Sequence, residues 1–315
     1  MGTPQFAVAP LKLLLEEGFN ICAVITAPDR PVGRGQKIAQ SDVKKFAAEH
    51  GINVLQPISL KDPEFIARLK AINAHLFIVV AFRMLPQAVW SLPKLGTFNL
   101  HASLLPMYRG AAPINWAIIN GESKSGVTTF FIDDKIDTGK ILFREECKIE
   151  ESDNAGDLHD KLMEMGAKLV VKTAEALIIG VASAVEQQNG AQLKIAPKLS
   201  KESGAINWAL PCTEILNLIR GLSPYPTAYT VLKNDQKSIP VKIFEAVACK
   251  SPSSLTIGEI ETDNKNYLRV GCKKGSLKIK SLQAAGKKRL TIKEFLAGLR
   301  DAQSYHFSSK PKNNE

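Results

Sequence analysis

The sequence predicts an α/β protein, with a doubly wound and mostly parallel sheet followed by a small β-barrel. Three observations lead there. Short apolar strands alternate with amphipathic helices up to Gly180, the order that parallel strands with right-handed crossovers produce. The run Leu76–Phe82 (L-F-I-V-V-A-F) lacks polar alternation, as expected of a strand covered on both faces. Beyond Ser200 the pattern changes to short β segments separated by Gly and polar turns, which suits a barrel.

Length and composition narrow the class. With 315 residues the chain can hold two domains, each with its own core. No apolar run reaches 18 residues and no basic-then-apolar segment opens the sequence, so neither a membrane span nor export is expected. Cys22, Cys147, Cys212, Cys249 and Cys272 are scattered without a C-x-x-C pair. Reduced thiols in a cytoplasm fit that spacing better than a disulfide frame or a zinc site, and no metal is expected. The net charge of +10 is unevenly placed: Ser200 onward carries 19 Lys and Arg against 10 Asp and Glu. A basic last third and a nearly neutral remainder suit contact with a polyanion, although a basic surface also serves solubility.

In order, Met1-Gly2-Thr3-Pro4 leads at once into an apolar helix with Phe6, Val8, Leu11, Leu14 and Leu15 on one side. Gly-Thr-Pro before a helix ordinarily caps a preceding strand. A buried first strand is therefore expected ahead of Gly2, and the sequence reads as starting several residues late. Ile21–Thr26 is a strand, Ser41 caps a helix running to His50, and Ile52–Leu55 is a strand. Asp62–Ala71 is a helix with Pro63 at its first position, and a short helix lies near Pro86–Trp90. Pro113–Asn120 is helical, while Val127–Ile132 and Lys140–Arg144 are strands. Leu158, Leu162, Met165, Leu169, Thr173 and Leu177 mark a long amphipathic helix. From Val181 to Leu199 periodicity weakens, as in a linker. Thr213–Arg220 is a helix, and Ala228–Leu232, Val241–Ala248, Leu268–Cys272 and Leu277–Leu282 are barrel strands. Ile292–Leu299 is a helix, and the polar tail Ser308–Glu315 is expected to be disordered.

The chemistry is expected in Thr97–Gly110 (T-F-N-L-H-A-S-L-L-P-M-Y-R-G). Leu95–Leu100 reads as a buried strand whose alternation puts Asn99 and His101 on one face. An amide that polarises a carbonyl oxygen and an imidazole that moves a proton suit a carbonyl substrate. A satisfied structural histidine is the plainer alternative. Asp137, in D-D-K-I-D-T-G, reads as a turn residue unless its loop reaches His101, where it would orient the imidazole. Pro28–Lys37 (P-D-R-P-V-G-R-G-Q-K) is expected to lack regular structure, since two prolines and two glycines interrupt it. Arg30, Arg34 and Lys37 would put three positive charges at its tip, suited to a phosphate backbone; a solvated loop is the alternative.

These stretches together resemble the methionyl-tRNA formyltransferase family along nearly the whole chain. N-L-H-A-S-L-L-P and the later D-T-G look like the signature of enzymes using 10-formyltetrahydrofolate. The branch marks are P-D-R-P-V-G-R-G at 28–35, R-G-A-A-P-I-N-W at 109–116, A-P-K-L-S-K at 196–201 and A-G-K-K-R-L at 285–290. The resemblance implies a Rossmann-like catalytic domain over residues 1–180, a linker over 181–199 and an OB-like tRNA-binding domain over 200–315. It implies formyl transfer from 10-formyltetrahydrofolate, a co-substrate, to the amino group of initiator methionyl-tRNA, by a cytoplasmic monomer without membrane contact. The catalytic trio falls on Asn99, His101 and Asp137, and the folate-contacting turn on Ser103, Leu104, Leu105 and Pro106. The tRNA contacts fall on Arg30, Arg34 and Lys37 and, in the second domain, on Lys287, Lys288 and Arg289. By this mechanism Asn99 and His101 donate to the formyl oxygen, while Asp137 orients the imidazole and helps take the proton from the attacking nitrogen. Two departures stand out: the strand before Gly-Thr-Pro is absent, and the family's A-Y-G-x-x-L-P appears one residue shorter as Ala81-Phe82-Arg83-Met84-Leu85-Pro86. The rival readings are a formyltransferase for another amine, such as a nucleotide sugar or purine precursor, and an RNA-binding relative with a vestigial site. A nicotinamide dehydrogenase lacks support, because no G-x-G-x-x-G opens the chain.

Overall fold

In the computed structural model, residues 1–32, 37–188, 190, 192–249, 254–299 and 301–308 are described. The chain forms two compact units that are not contiguous in sequence. One comprises Met1–Pro113, Lys124–Lys148 and His159–Pro197; the other comprises Ile114–Ser123, Ile149–Leu158 and Lys198–Glu315. The stretch expected as a linker thus belongs to the first unit as far as Pro197.

Helix α1 (Gln5–Glu16) buries Phe6, Ala7, Val8, Pro10 and Leu14. Strand β1 is only Val24–Ile25, the part of Ile21–Thr26 that finds a partner. The basic loop departs from expectation: β2 (Arg30–Val32) and β3 (Lys37–Ala39) form an antiparallel hairpin. Pro31 is tolerated because each strand of a two-stranded ribbon has an open edge, where a missing N–H removes no ladder bond. The hairpin's foot is tied down, with Asp29 taking Lys44 Nζ at 2.6 Å and Gln56 Nε2 at 2.8 Å. The Lys44 bond, then the Gln56 bond, hold this carboxyl below the usual carboxylate range.

Ser41 caps α2 (Asp42–Glu49) by accepting Lys44 N–H at 3.1 Å. After β4 (Val54–Leu55), α3 (Pro63–Ile72) begins with Pro63 at its first position and the Asp62 carboxylate on Glu64 N–H. Then come β5 (Phe77–Val80), α4 (Gln87–Trp90), β6 (Thr97–His101) and β7 (Arg109–Gly110). They are followed by α5 (Pro113–Ile119), β8 (Lys124–Phe131), β9 (Ile141–Lys148), α6 (Ala155–Ile178) and β10 (Ile195–Ala196).

The pairs β1–β4 and β5–β6 are parallel, and β8 and β9 extend the sheet antiparallel. Met1 and Gly2 stand between β1 and β5. Gly2 N–H donates to Ile25 O at 3.0 Å, Val80 N–H donates to Met1 O at 2.9 Å, and the Met1 ammonium donates to Ile78 O at 2.7 Å. Phe65, Leu69, Phe77, Val79, Leu85 and Val89 pack as one core of this unit. Strand β6 runs one residue further than Leu95–Leu100 suggested, because Leu100 and His101 pair with Thr129 and Thr128 of β8. His101 is therefore the last residue of a buried strand.

The second unit contains α7 (Cys212–Leu222) and an antiparallel sheet of β11 (Ala228–Lys233), β12 (Ser238–Ala248), β13 (Ile260–Thr262), β14 (Leu268–Gly271) and β15 (Ser276–Ala284). The short strand β16 (Leu290–Thr291), helix α8 (Ile292–Gly298) and β17 (His306–Ser308) complete it. The strand order is β13-β14-β15-β12-β11-β17, with a Glu259–His306 bridge linking the two ends, so the barrel is nearly closed. Trp208, fully buried, donates Nε1–H to Thr230 Oγ1 at 3.0 Å. Ser308, read as the start of a disordered tail, instead pairs with Val231, because the barrel needs a strand beside β11. Residues 309–315 lie outside the described residues.

Candidate functional site

His101 is almost fully buried, and both ring nitrogens face named partners. Nε2 lies 2.8 Å from the Tyr108 carbonyl oxygen. A carbonyl only accepts, so Nε2 carries a hydrogen and Nδ1 is the nitrogen that gains or loses a proton. Nδ1 lies 3.7 Å from Asp137 Oδ2, too far for a hydrogen bond but close enough to stabilise a positive charge. The orienting partner of the ring is therefore the Tyr108 carbonyl, where the sequence pointed to Asp137. Asp137 is positioned separately, its Oδ2 accepting Gly110 N–H at 2.9 Å. The loop of Asp137 does reach the His101 side of the sheet. Asn99 sits two residues earlier on the same face of β6, half-buried. Among the described residues its amide has no hydrogen-bond partner.

Two residues beside the imidazole adopt left-handed backbone, Tyr108 at φ 61° and Asp137 at φ 56°. Such conformations in non-glycine residues persist where the surroundings impose them. The surroundings here come from the segment after α6. Tyr108 N–H donates to Lys194 O at 2.6 Å, and β7 pairs in parallel with β10. Gln187, buried, donates Nε2–H to Asp137 O at 2.9 Å and to Gly139 O at 2.8 Å. Its Oε1 accepts from Arg109 Nε at 3.1 Å and Nη2 at 2.7 Å. The Asp-Thr-Gly glycine is required sterically, since a Cβ on Gly139 would lie 1.7 Å from Phe131 O. Sequence reasoning missed Tyr108 and Gln187. The first acts through its carbonyl, which any residue supplies, and the second sits in a stretch without periodicity.

The Ser103–Pro106 turn is rigid. Ser103 and Leu105 are fully buried. Ser103 Oγ–H donates to Met107 O at 2.6 Å, Thr128 Oγ1 bridges Ser103 O and Leu105 N–H, and Arg144 Nη1 donates to Leu105 O at 3.0 Å. Only Leu104 and Pro106 keep partly open side chains. A Cβ on Gly126 would lie 2.5 Å from Leu104 Cδ2, so this glycine makes room for Leu104. In the shortened segment after β5, Arg83 donates to Ile58 O and Pro57 O at 3.0 and 2.9 Å.

The basic residues divide. Arg30 is exposed at the hairpin, whereas Arg34 lies outside the described residues and only the backbone of Lys37 is described. Lys287 and Lys288 are exposed in the turn between β15 and β16. Arg289 is anchored: Nε–H donates to Ser281 Oγ at 2.7 Å, and the guanidinium lies 4.5 Å from the centre of the Phe244 ring. The five cysteines are unpaired, and burial pushes the Cys272 thiol up to about 12, so it remains protonated. Among the described residues no group of three His, Cys, Asp or Glu is arranged to hold a metal. No helix among them is long and apolar enough to cross a membrane.

An amide and an imidazole on one strand face, met by a carboxylate from a loop, have the chemistry that transfer of a small carbonyl group needs. The chain belongs to the formyl transferase family: the family model described as formyl transferase matches residues 1–174, and that of the formyl transferase C-terminal domain matches 198–300. The relative from Azobacteroides pseudotrichonymphae, a methionyl-tRNA formyltransferase, is 51% identical over 314 residues, covering 98% of this chain and 97% of its own. The methionyl-tRNA formyltransferase of Flavobacterium johnsoniae is 50% identical over 299 residues, covering 95% of each chain. Among solved structures, the sugar 3N-formyl transferase WlaRD superposes with a TM-score of 0.66 at 23% identity, covering 91% of this chain and 97% of its own. That likeness shows the fold.

Proposed function

We propose that this chain transfers the formyl group of 10-formyltetrahydrofolate to the α-amino group of methionyl-initiator tRNA. It thus has the activity for which its relatives of about half-identical sequence are named. The observation that carries the chemistry is the His101–Asp137 pair, 3.7 Å apart, beside the free amide of Asn99.

The folate co-substrate supplies the carbon to which the amine adds. Asn99 donates its amide N–H to the formyl oxygen as negative charge develops there, a contribution of roughly 10²–10³-fold per donor. His101 Nδ1 takes the proton released by the attacking nitrogen, Asp137 stabilises the imidazolium that results, and the proton then passes to the folate nitrogen as its bond to the formyl carbon breaks, releasing tetrahydrofolate. The Tyr108 carbonyl holds the ring throughout. Leu104 and Pro106 border the folate, with Ser103 and Leu105 acting as the fixed base of that turn. Arg30, Arg34 and Lys37 meet tRNA phosphate, as do Lys287 and Lys288, while Arg289 braces their turn. The enzyme works as a monomer in the cytoplasm.

The test is incubation with 10-formyltetrahydrofolate and charged methionyl-tRNA, with uncharged tRNA, free methionine and an aminosugar nucleotide as controls. Formylation of the charged tRNA alone is expected, and His101→Ala lowers the rate at least about a hundredfold while the protein stays folded. Preferred formylation of the sugar, or near-normal turnover by the variant, refutes the assignment.

A further inference from the structure

On the outer face of the barrel, one row of opposed residues crosses three strands. Tyr229 of β11 faces Lys242 of β12, and Lys242 faces Gln283 of β15. Their strand neighbours Ala228, Thr230, Val241, Ile243 and Leu282 are buried, so alternation turns the row outward. A phenol ring, an ammonium and an amide thus follow one another at roughly 4.8 Å intervals. The row borders a cavity of about 520 Å³, within the size range of small-ligand sites. Pro226, Val241 and Ala284 give it apolar walls, and the exposed Lys201 adds a second ammonium.

The row is held in place by its surroundings. A Cβ on Gly204 would lie 3.3 and 3.4 Å from Tyr229 Cδ1 and Cε1, so the missing side chain lets the half-buried ring settle against this backbone. Gln283 Nε2–H donates to Lys287 O at 2.7 Å. That bond ties the turn carrying Lys287 and Lys288 to the cavity, which Gly286 of the same turn lines. It also leaves Gln283 Oε1 without a partner among the described residues. Lys242 Nζ reaches only Pro226 O, at 3.5 Å, and among the described residues no carboxylate pairs with it.

We propose that this cavity receives one unpaired base of the tRNA, with Tyr229 stacked on its face and Gln283 hydrogen-bonded to its edge. Lys201 and Lys242 meet the phosphates on either side of that nucleotide. The inference rests on tRNA being the formyl acceptor and goes further, because it makes the barrel a reader of a base as well as a support for phosphates. A base presents a flat face and an edge of donors and acceptors, which one aromatic ring, one amide and apolar walls match. Paired bases keep their faces stacked on one another, so only an unpaired nucleotide can enter. A lone anion would engage the two ammonium groups and make no use of the ring or the walls.

The test is filter binding of the full chain to uncharged initiator tRNA and to a fully paired RNA duplex, across a salt series. Tyr229→Leu is expected to weaken tRNA binding about tenfold to a hundredfold, with the salt slope and the duplex affinity unchanged. Tyr229→Phe keeps the parent affinity. Lys242→Gln lowers the slope of log affinity against log salt by about one. Should Tyr229→Leu fail to fold, Ala285→Leu, which narrows the cavity from an exposed position, shows the same selective loss. Unchanged tRNA affinity in the folded variant, or equal losses for tRNA and duplex, overturns the proposal. If the parent formylates charged tRNA while Tyr229→Leu binds tRNA unchanged, the base site falls and the transfer reaction stands; if the parent prefers the aminosugar nucleotide, both fall.

Discussion

Replacing Gln187 tests whether the segment after α6 positions the Asp137 carboxylate. Its side chain, only 8% exposed, makes four hydrogen bonds: two to the Arg109 guanidinium and two to the Asp137 and Gly139 carbonyls. A neutral bond contributes about 1 kcal/mol and one to a charged group about 1.5–3. Shared partners make these less than additive. Gln187→Ala is therefore expected to weaken the local structure by about 3–4 kcal/mol. The larger consequence is geometric. A carboxylate displaced by about 1 Å costs on the order of 10²-fold in rate, so kcat should fall roughly 30–100-fold while KM for the tRNA changes little. Gln187→Glu separates packing from position, since a carboxylate still accepts from Arg109 but cannot donate to the two carbonyls. Its kcat should fall as far as that of the alanine variant, with stability closer to the parent. Steady-state kinetics over both substrates, with thermal unfolding of each variant, provide the readout. A Gln187→Ala enzyme that loses stability yet keeps kcat within about twofold refutes the positioning argument.

Asp137→Asn keeps an acceptor for Gly110 N–H at 2.9 Å but removes the charge facing His101, so kcat should fall roughly 10²–10⁴-fold with the melting temperature little changed; an equal loss of folding would assign Asp137 a structural role. Gly139→Ala puts a Cβ 1.7 Å from Phe131 O, and a loss of both activity and several degrees of Tm is expected, while an unaffected enzyme would show that the loop relaxes freely.

The helices were legible because capping and spacing are local. Asp62 and Pro63 open α3, Ser41 caps α2, and the three-and-four spacing from Leu158 to Leu177 reports the buried stripe of α6. Asn99 and His101 were legible because strand alternation fixes their common face. The basic hairpin was not, since pairing of Arg30–Val32 with Lys37–Ala39 across an interrupted loop depends on a ribbon that proline scarcely perturbs at its edge.

Residue types and their spacing determined the strand-borne amide and imidazole, the helix limits and the basic last third. Those properties depend on neighbours a few positions away. Only the tertiary structure decided which group orients the imidazole, because Tyr108 acts through a carbonyl common to every residue and Asp137 stops 3.7 Å short. It also decided that Gln187, 50 positions beyond Asp137, fixes that loop. Long-range backbone hydrogen bonds leave no mark on side-chain pattern, so they emerge only when the chain is folded.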